Sequence, residues 1–306
     1  FEYYKNSPYS NLVKILKDYK NKKNKNIKMS KVILGTVQLG KKYFIKQINI
    51  NQKRANKIMN VALKEKINSF DTARDYGLSE EFIGNFKIKQ KKQMFIFSKL
   101  NNLDNLKNIK KEDLISRINF SIFESLNKLK SSSLEIFFVH NPKNLFMSKV
   151  LYSHLCRFLD CGIFKNLGVS IYNIQEFNKL KKYKKVKCIQ IPFNLIDYKW
   201  IKILNKQIKN KKIFVRSVFI RGNLKKNNIL FPKNFKNKFD SFNNYLSKIC
   251  IKFNKKNLFE LSISYLKTFR GINYFIIGAQ NIRQVVQTVK YFKQKPLKKK
   301  TKSNFN

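Results

Sequence analysis

The chain has 306 residues, 43% of them hydrophobic, and carries 66 Lys and Arg against 17 Asp and Glu, a formal net charge of +49. That length suits one large α/β domain or two small ones, with enough apolar material for a full core. The charge suggests a nucleic-acid partner first, but it is nearly all lysine, spread along the chain among Asn, Ile and Phe, whereas specific reading of bases and phosphates leans on Arg forks; the pattern predicts no specific nucleic-acid role, only weak, salt-sensitive adhesion to polyanions.

Residues 1–29 read as a helix at Ser10–Tyr19 and a lysine–asparagine linker, a possible remnant of an upstream domain, since the chain begins at Phe1. A single barrel-type domain is expected over 30–295, with a basic tail at 296–306. Cys156, Cys161, Cys188 and Cys250 show no C-x-x-C pairing and no neighbouring His at ligand spacing. They are expected to be reduced core residues of a cytoplasmic protein without a metal site. No apolar run approaches the ~18 residues of a membrane span, and the N-terminal stretch lacks the apolar region of a signal peptide.

After the linker, short apolar runs alternate with longer helical patterns. The expected strands are Val32–Leu34, Ser69–Asp71, Met94–Ser98, Leu134–Val139, Asn166–Val169, Cys188–Ile191, Ile213–Ser217 and Tyr274–Ile277. The expected helices are Gln52–Lys66, Ser79–Phe86, Lys111–Leu129, Ser148–Asp160, Ile174–Tyr183, Trp200–Lys209, Leu258–Phe269 and Ile282–Phe292. Ser79 followed by Glu80 and Glu81 suits the positive end of a helix dipole. Most strands are apolar throughout, as parallel strands covered on both faces must be. Eight repeats over roughly 260 residues match the length of a (β/α)₈ barrel, the TIM-barrel fold. No G-x-G-x-x-G follows any strand, so the doubly wound competitor has no dinucleotide turn to stand on. Arg221–Asn254 is expected to be a loop with one helix, draped over one end of the barrel.

In such a barrel the chemistry belongs at the C-terminal strand ends and in the loops after them. Strand two ends at Asp71, with Tyr76 in the loop beyond. Strand three ends at Lys99 and strand four at His140, one of only two histidines. Each has a plain alternative: Lys99 as one lysine among many, His140 as a turn residue, Tyr76 as a rim aromatic. Taken together they form an acid–base set. A phenol has an ordinary pKa of ~10, and a neighbouring ammonium is expected to lower it. A carboxylate on that ammonium keeps it charged and placed, and an imidazole can orient a carbonyl oxygen. Asp71 is thus read as the partner of Lys99, Lys99 as the modifier of Tyr76, Tyr76 as the proton donor to a carbonyl receiving a hydride, and His140 as an orienting donor.

The stretch DTARDYGLSEEFIG resembles the aldo-keto reductase family, in which a strand-end Asp is followed by Tyr-Gly and then Ser-Glu at a helix start. FSKL, SLEIFFVHNP, GIFKNLGVS, CIQIPFN and FIIGAQ follow in the family's order, so the resemblance covers about residues 31–293. It implies a reductase that takes an aldehyde or ketone, possibly a sugar carbonyl, and binds a nicotinamide cofactor in an extended pose: NADPH, with NADH not excluded. By matching, Gly35 and Thr36 count among the cofactor contacts, Ser170 and Gln190 would hold the nicotinamide carboxamide, and Ser217 and Gly222 would lie along the pyrophosphate. Gly278, Gln280, Arg283 and Gln284 would lie towards the adenosine end. Arg216 stands where an aromatic often stacks on the nicotinamide, and its plane can stack too. Three further positions depart from the family: Ile171 replaces an Asn, and Gln284 and Thr288 stand where Arg and Asn are usual. The Arg-Ser-x-Phe-x-x-Gly form of strand seven, Arg216 to Gly222, resembles a bacterial branch found beside, or fused to, enzymes of surface-polysaccharide and nucleotide-sugar synthesis. A catalytically decayed nucleotide-binding barrel and a lysine-rich polyanion-binding protein are the alternatives.

Overall fold

A computed structural model describes residues 27–41, 50–103, 106, 109–219 and 244–297. The expected helix at Ser10–Tyr19, Gly222 and most of the basic tail lie outside them. The strands are β1 (Val32–Gly35), β2 (Ser69–Asp71), β3 (Phe95–Leu100), β4 (Leu134–Val139), β5 (Phe164–Ser170), β6 (Val186–Pro192), β7 (Lys212–Arg216) and β8 (Tyr274–Gly278). All neighbours are parallel, the order follows the chain, and β1 closes on β8 with Leu34 opposite Ile277. This is the (β/α)₈ barrel the rhythm predicts.

The strands read as apolar throughout because their alternate faces bury different cores. One face packs inside the barrel: Ile33, Phe95, Phe97, Ile136, Phe138, Cys188, Phe214 and Ile276 form a separate cluster. Phe214 meets Phe97 and Phe138 edge to face, each at 5.8 Å between ring centres. Each such ring contributes about 1.5–3 kcal/mol of burial, and together they plug the barrel as side-chain layers should. Gly168 makes the plug possible, because a Cβ there would lie 2.3 Å from the Phe138 ring. The other faces pack outward on the helices in one large cluster.

Asparagine starts several helices. Asn51, Asn173, Asn257 and Asn281 each accept a backbone N–H from the first turn of Gln52–Lys64, Ile174–Lys179, Leu258–Leu266 and Ile282–Lys293, as good N-caps do. Ser148 does the same for Lys149–Asp160. Ser79 opens the Ser79–Lys87 helix, but its hydroxyl bonds Thr36 rather than a first-turn N–H.

Several expected bounds change. The Trp200–Lys209 pattern yields only Ile201–Leu204. Ile174–Tyr183 stops at Lys179 and tightens into a 3₁₀ turn over Leu180–Lys182, which lets Val186 N bond Tyr183 O and turn into β6. Two short helices at the barrel mouth, Val37–Gly40 and Pro142–Met147, were not anticipated. Of Arg221–Asn254, residues 244–252 are helical. All four cysteines are free, but only Cys188 and Cys250 are buried; Cys156 is partly exposed and Cys161 exposed, because the latter two sit on and just after an outer helix. Among the described residues no helix is long and apolar enough to cross a membrane.

Candidate active site

β2 and β3 carry the centre of the site. Asp71, at the end of β2, is 4% exposed, and Lys99, on β3, is 1% exposed. Lys99 Nζ donates to Asp71 Oδ2 at 2.8 Å and to the carbonyl of Thr72 at 2.7 Å. The same nitrogen lies 4.8 Å from the centre of the Tyr76 ring. Burial of the ammonium works to lower its pKa, but Asp71 and Tyr76 outweigh that, and Lys99 ends above the ordinary lysine value. It is a fixed cation.

Tyr76 corrects one expectation. Burial pushes its phenol above the ordinary value, Lys99 pulls it down and Asp71 pushes it up again; the net direction is upward. Desolvation wins because the phenolate would have to be charged where little water reaches. The phenol therefore rests in its acid form.

A chain of hydroxyls anchors this end of β2. Thr72 Oγ1 donates to Ser79 Oγ (2.9 Å), Ser79 Oγ to Thr36 Oγ1 (2.7 Å), and Thr36 Oγ1 to the Asp71 carbonyl (2.9 Å). The N–H of Thr36 also goes to Asp71 O, at 3.0 Å. Thr36, expected as a cofactor contact, thus spends its hydroxyl and its N–H on holding Asp71. Gly77, at φ +59, lets the turn after Tyr76 dock on the β1 loop; a Cβ there would lie 2.2 Å from Gly40 O.

His140 follows β4. Its ring meets Tyr76 edge to face at 5.9 Å, and its Nδ1 lies 3.5 Å from Asp75 Oδ2. His140 and Asp75 line an open cleft of about 410 Å³ with Asn102, Asn141, Lys143, Tyr172 and Glu176. The hydrogen bond and charge of His140 hold Asp75 below the usual carboxylate value, against the opposing effect of burial.

The described residues matched to the cofactor gather at the same mouth, with altered partners. Gln190 Nε2 donates to Asp71 Oδ1 at 2.6 Å, while its Oε1 is buried without a hydrogen-bond partner. Ser170 is the register neighbour of Gln190. An orphaned acceptor of this kind costs about 1–3 kcal/mol and fits a donor such as a carboxamide N–H₂, so the residues present suit a nicotinamide. Arg216 lies with its Cζ 4.5 Å from the Tyr172 ring centre and its Nη2 3.4 Å from Ser170 Oγ. Gly35 and Gly278 are paired across β1 and β8, and a Cβ on Gly278 would lie 2.3 Å from the Gln38 amide. Ser217 sits just past β7 with φ 59. Gln284 Oε1 accepts the N–H of Gln280 at 2.7 Å, and Gln280 O accepts from Arg54 Nη2 at 3.3 Å. The side chains of Asn281 and Gln284 thus bond the backbone of their own turn, with Arg283 exposed beside them.

Some members of the site had no sequence signal of their own. Glu80, 1% exposed, accepts from Ser98 Oγ at 2.6 Å and pairs with Arg74 at 3.3 Å. In the sequence it stands out only as an acid in the first turn of a helix. Asn102 and Tyr172 reach the cleft from loops, and Glu176 from the first turn of the Ile174–Lys179 helix, where composition gives nothing away.

A family model described as "Aldo/keto reductase family" matches residues 31–305. Among curated proteins, the aldo-keto reductase YhdN of Bacillus subtilis (strain 168) is 25% identical over 184 residues; the match spans 59% of this chain and 55% of that protein, so the chain spans about half the length of the curated relative. Among solved structures, the glycerol dehydrogenase AKR11B4 from Gluconobacter oxydans superposes with a TM-score of 0.69 at 21% identity, covering 92% of each chain. The aldo-keto reductase AKR11C1 from Bacillus halodurans, in its holo form, gives a TM-score of 0.71 at 17% identity, covering 92% of this chain and 93% of its own. At these identities the structural likeness speaks for the fold.

Proposed function

The chain belongs to the aldo/keto reductase family, and on that premise we propose that it is a nicotinamide-dependent oxidoreductase reducing an aldehyde or ketone, with Tyr76 as the proton donor. The observation that carries this reading is the buried Lys99–Asp71 pair beneath Tyr76. When bound, the cofactor supplies the hydride for the carbonyl carbon. The work of the chain's own residues is to hold and move the proton. Tyr76 rests as the acid and hands its proton to the carbonyl oxygen. Lys99, kept charged by Asp71, stabilises the phenolate left behind. His140, at the edge of the Tyr76 ring, orients the oxygen. Ser170 and the free Oε1 of Gln190 are the groups suited to the carboxamide.

The cofactor we favour is NADPH, with NADH admitted: Arg283 and the surrounding lysines offer charge for a 2′-phosphate, while Gln284 is spent within its own turn. A substrate with hydroxyls beside its carbonyl, such as a sugar, suits a cleft whose lining is mostly Asn, Asp, Glu, His and Lys with one Tyr face. The Arg216-Ser217-Val218-Phe219 segment supports the narrower reading of a substrate from polysaccharide or nucleotide-sugar synthesis. A cytoplasmic setting suits four free thiols. We read 30–295 as the catalytic unit.

Fluorescence titration with NADPH and NADH, combined with steady-state reduction of a reactive aldehyde by wild type and Tyr76→Phe, tests the proposal. Tyr76→Phe removes one oxygen and keeps the ring. It should bind cofactor as wild type does and lose at least ~10²-fold in reduction. Preference for NADPH should be modest, short of the ~5 kcal/mol that a discrimination of several thousand-fold represents. Unchanged turnover in Tyr76→Phe would sink the assignment; cofactor binding without turnover in wild type would point to the decayed barrel.

A further inference from the structure

We propose that Asp75 is a positioning residue that fixes the tautomer of His140, so that its Nε2 serves the cleft as a hydrogen-bond donor only while the ring is doubly protonated. The proposal rests on reading the cleft as the carbonyl site. Asp75 Oδ2 lies 3.5 Å from His140 Nδ1, and the carboxylate is steadied by the backbone N–H of Asn102. Asn102 is itself tied to the His140 loop, since Asn141 Nδ2 donates to Asn102 Oδ1 at 2.8 Å. The carboxylate and the imidazole thus come from the loops after β2 and β4, held by a third loop after β3.

A carboxylate only accepts hydrogen bonds, so it draws the imidazole proton to Nδ1. With two protons on the ring, Nδ1 bonds Asp75 and Nε2 donates. With one proton, that proton stays at Nδ1 and Nε2 becomes an acceptor. Asp75 therefore ties the donor role of His140 to its protonation. Of the other charged or titratable groups, Tyr76 on the β2 loop meets the ring edge to face, Lys143, Tyr172 and Glu176 share its cleft, Lys41 acts on Asp75, and Lys99 and Arg216 stand one residue further off against Tyr76 and Tyr172. Only Asp75 is paired with the ring among the described ion pairs.

The consequence is counter-intuitive. Reduction by wild type should therefore require the doubly protonated ring. In Asp75→Asn the amide can donate to Nδ1 and the neutral ring keeps its proton on Nε2, so that dependence should be lost and only the limb that belongs to Tyr76 should remain. Asp75→Ala should behave like Asp75→Asn, and Asp75→Glu should restore wild-type behaviour.

The test has two independent readouts. The first is imidazole ¹⁵N shifts at alkaline pH, where pyrrole-type and pyridine-type nitrogens separate. The chain has two histidines, and a His154→Gln sample assigns the signals. His154, whose Nε2 faces Asn119 Oδ1 at 2.7 Å, should be the Nε2–H form throughout and serves as reference. His140 should be Nδ1–H in wild type and Asp75→Glu, and Nε2–H in Asp75→Asn and Asp75→Ala. The second readout is the pH profile for reducing a simple aromatic aldehyde without hydroxyls, so that a lost substrate contact cannot mimic the effect. An Nε2–H ring in wild type, or a pH profile in Asp75→Asn unchanged from that of wild type, overturns the proposal. The Nδ1–H ring in a wild type that reduces no aldehyde supports the tautomer lock and counts against the reductase reading instead.

Discussion

Tyr76 and Lys99 oppose each other through water as much as through charge. Loss of water raises the phenol, and Lys99 is the main group pulling it back. Lys99→Met removes that pull, so the phenol should rise further and the Tyr76 limb of the pH–rate profile should move to higher pH while reduction slows. The same change leaves Asp71 buried beside only Gln190. Stranding one partner of a buried pair costs about 3–5 kcal/mol, and thermal unfolding should show the double variant Lys99→Met/Asp71→Asn recovering part of it. In rate, the losses at Tyr76 and Lys99 should not add, because both serve one proton transfer. His154 offers a residue-scale test of stability. Burial, helped by Arg157, lowers its pKa from 6.5 to about 4. The unfolded chain therefore takes up a proton below pH 6.5 that the folded chain resists. The stability contributed by the neutral His154 is present above 6.5 and is lost as pH falls towards 4, with no further slope below that. His154→Gln should flatten melting temperature against pH across that window; an unchanged slope would place the acid sensitivity elsewhere.

The helix ends show how elements were built from a lysine- and asparagine-rich composition. Asparagine serves well at the N-caps, where its side-chain oxygen meets a free N–H. At the C-termini the same composition costs stability. After Gln52–Lys64, Ile67 N bonds Ala62 O at 2.8 Å; after Lys111–Lys128, Ser131 N bonds Leu126 O at 3.0 Å. Both are six-to-one closures that require a left-handed residue. Gly162 fills that position after Lys149–Asp160 with φ 77, but Lys66 and Lys130 occupy it with φ 64 and 48. A left-handed L-residue costs about 1–2 kcal/mol, and Gly gives back part of that gain as entropy of the unfolded chain. Lys66→Gly and Lys130→Gly should each stabilise by about 0.5–1 kcal/mol in denaturant unfolding; a loss at either would show that the lysine makes compensating contacts. Inside the barrel the sign reverses. Gly168→Ala puts a methyl against Phe138 and should destabilise by about 1–3 kcal/mol, the usual range for an overpacked core.

For the whole molecule, the net charge of +49 acts on association rather than on fold. Charge spread over many lysines gives counterion-release binding without base readout. DNA affinity should be weak, indifferent to sequence and gone near physiological salt, with a steep salt slope. A nanomolar, sequence-specific complex at that salt would overturn the enzyme-first reading. The barrel itself is indifferent to this charge. Its closure depends on Leu34 meeting both Phe70 and Ile277, and its interior on three phenylalanines that meet edge to face.

The eight strands were legible one by one because burial on both faces writes an unbroken apolar run into local sequence. Asp71, Lys99 and His140 were legible at strand ends, and Tyr76 in the loop beyond Asp71, because a barrel turns position along the chain into position at one mouth. Which groups then pair was decided by tertiary structure alone. Gln190 reaches Asp71 across 119 positions of sequence, Ser98 and Arg74 together hold Glu80, and Asp75 finds His140 only when β2 and β4 are brought to one rim. The direction of the Tyr76 shift belongs to the same class. Charges can be counted in a sequence, but how much water a phenol loses depends on every chain segment that closes around it, and here that loss outweighs the neighbouring ammonium.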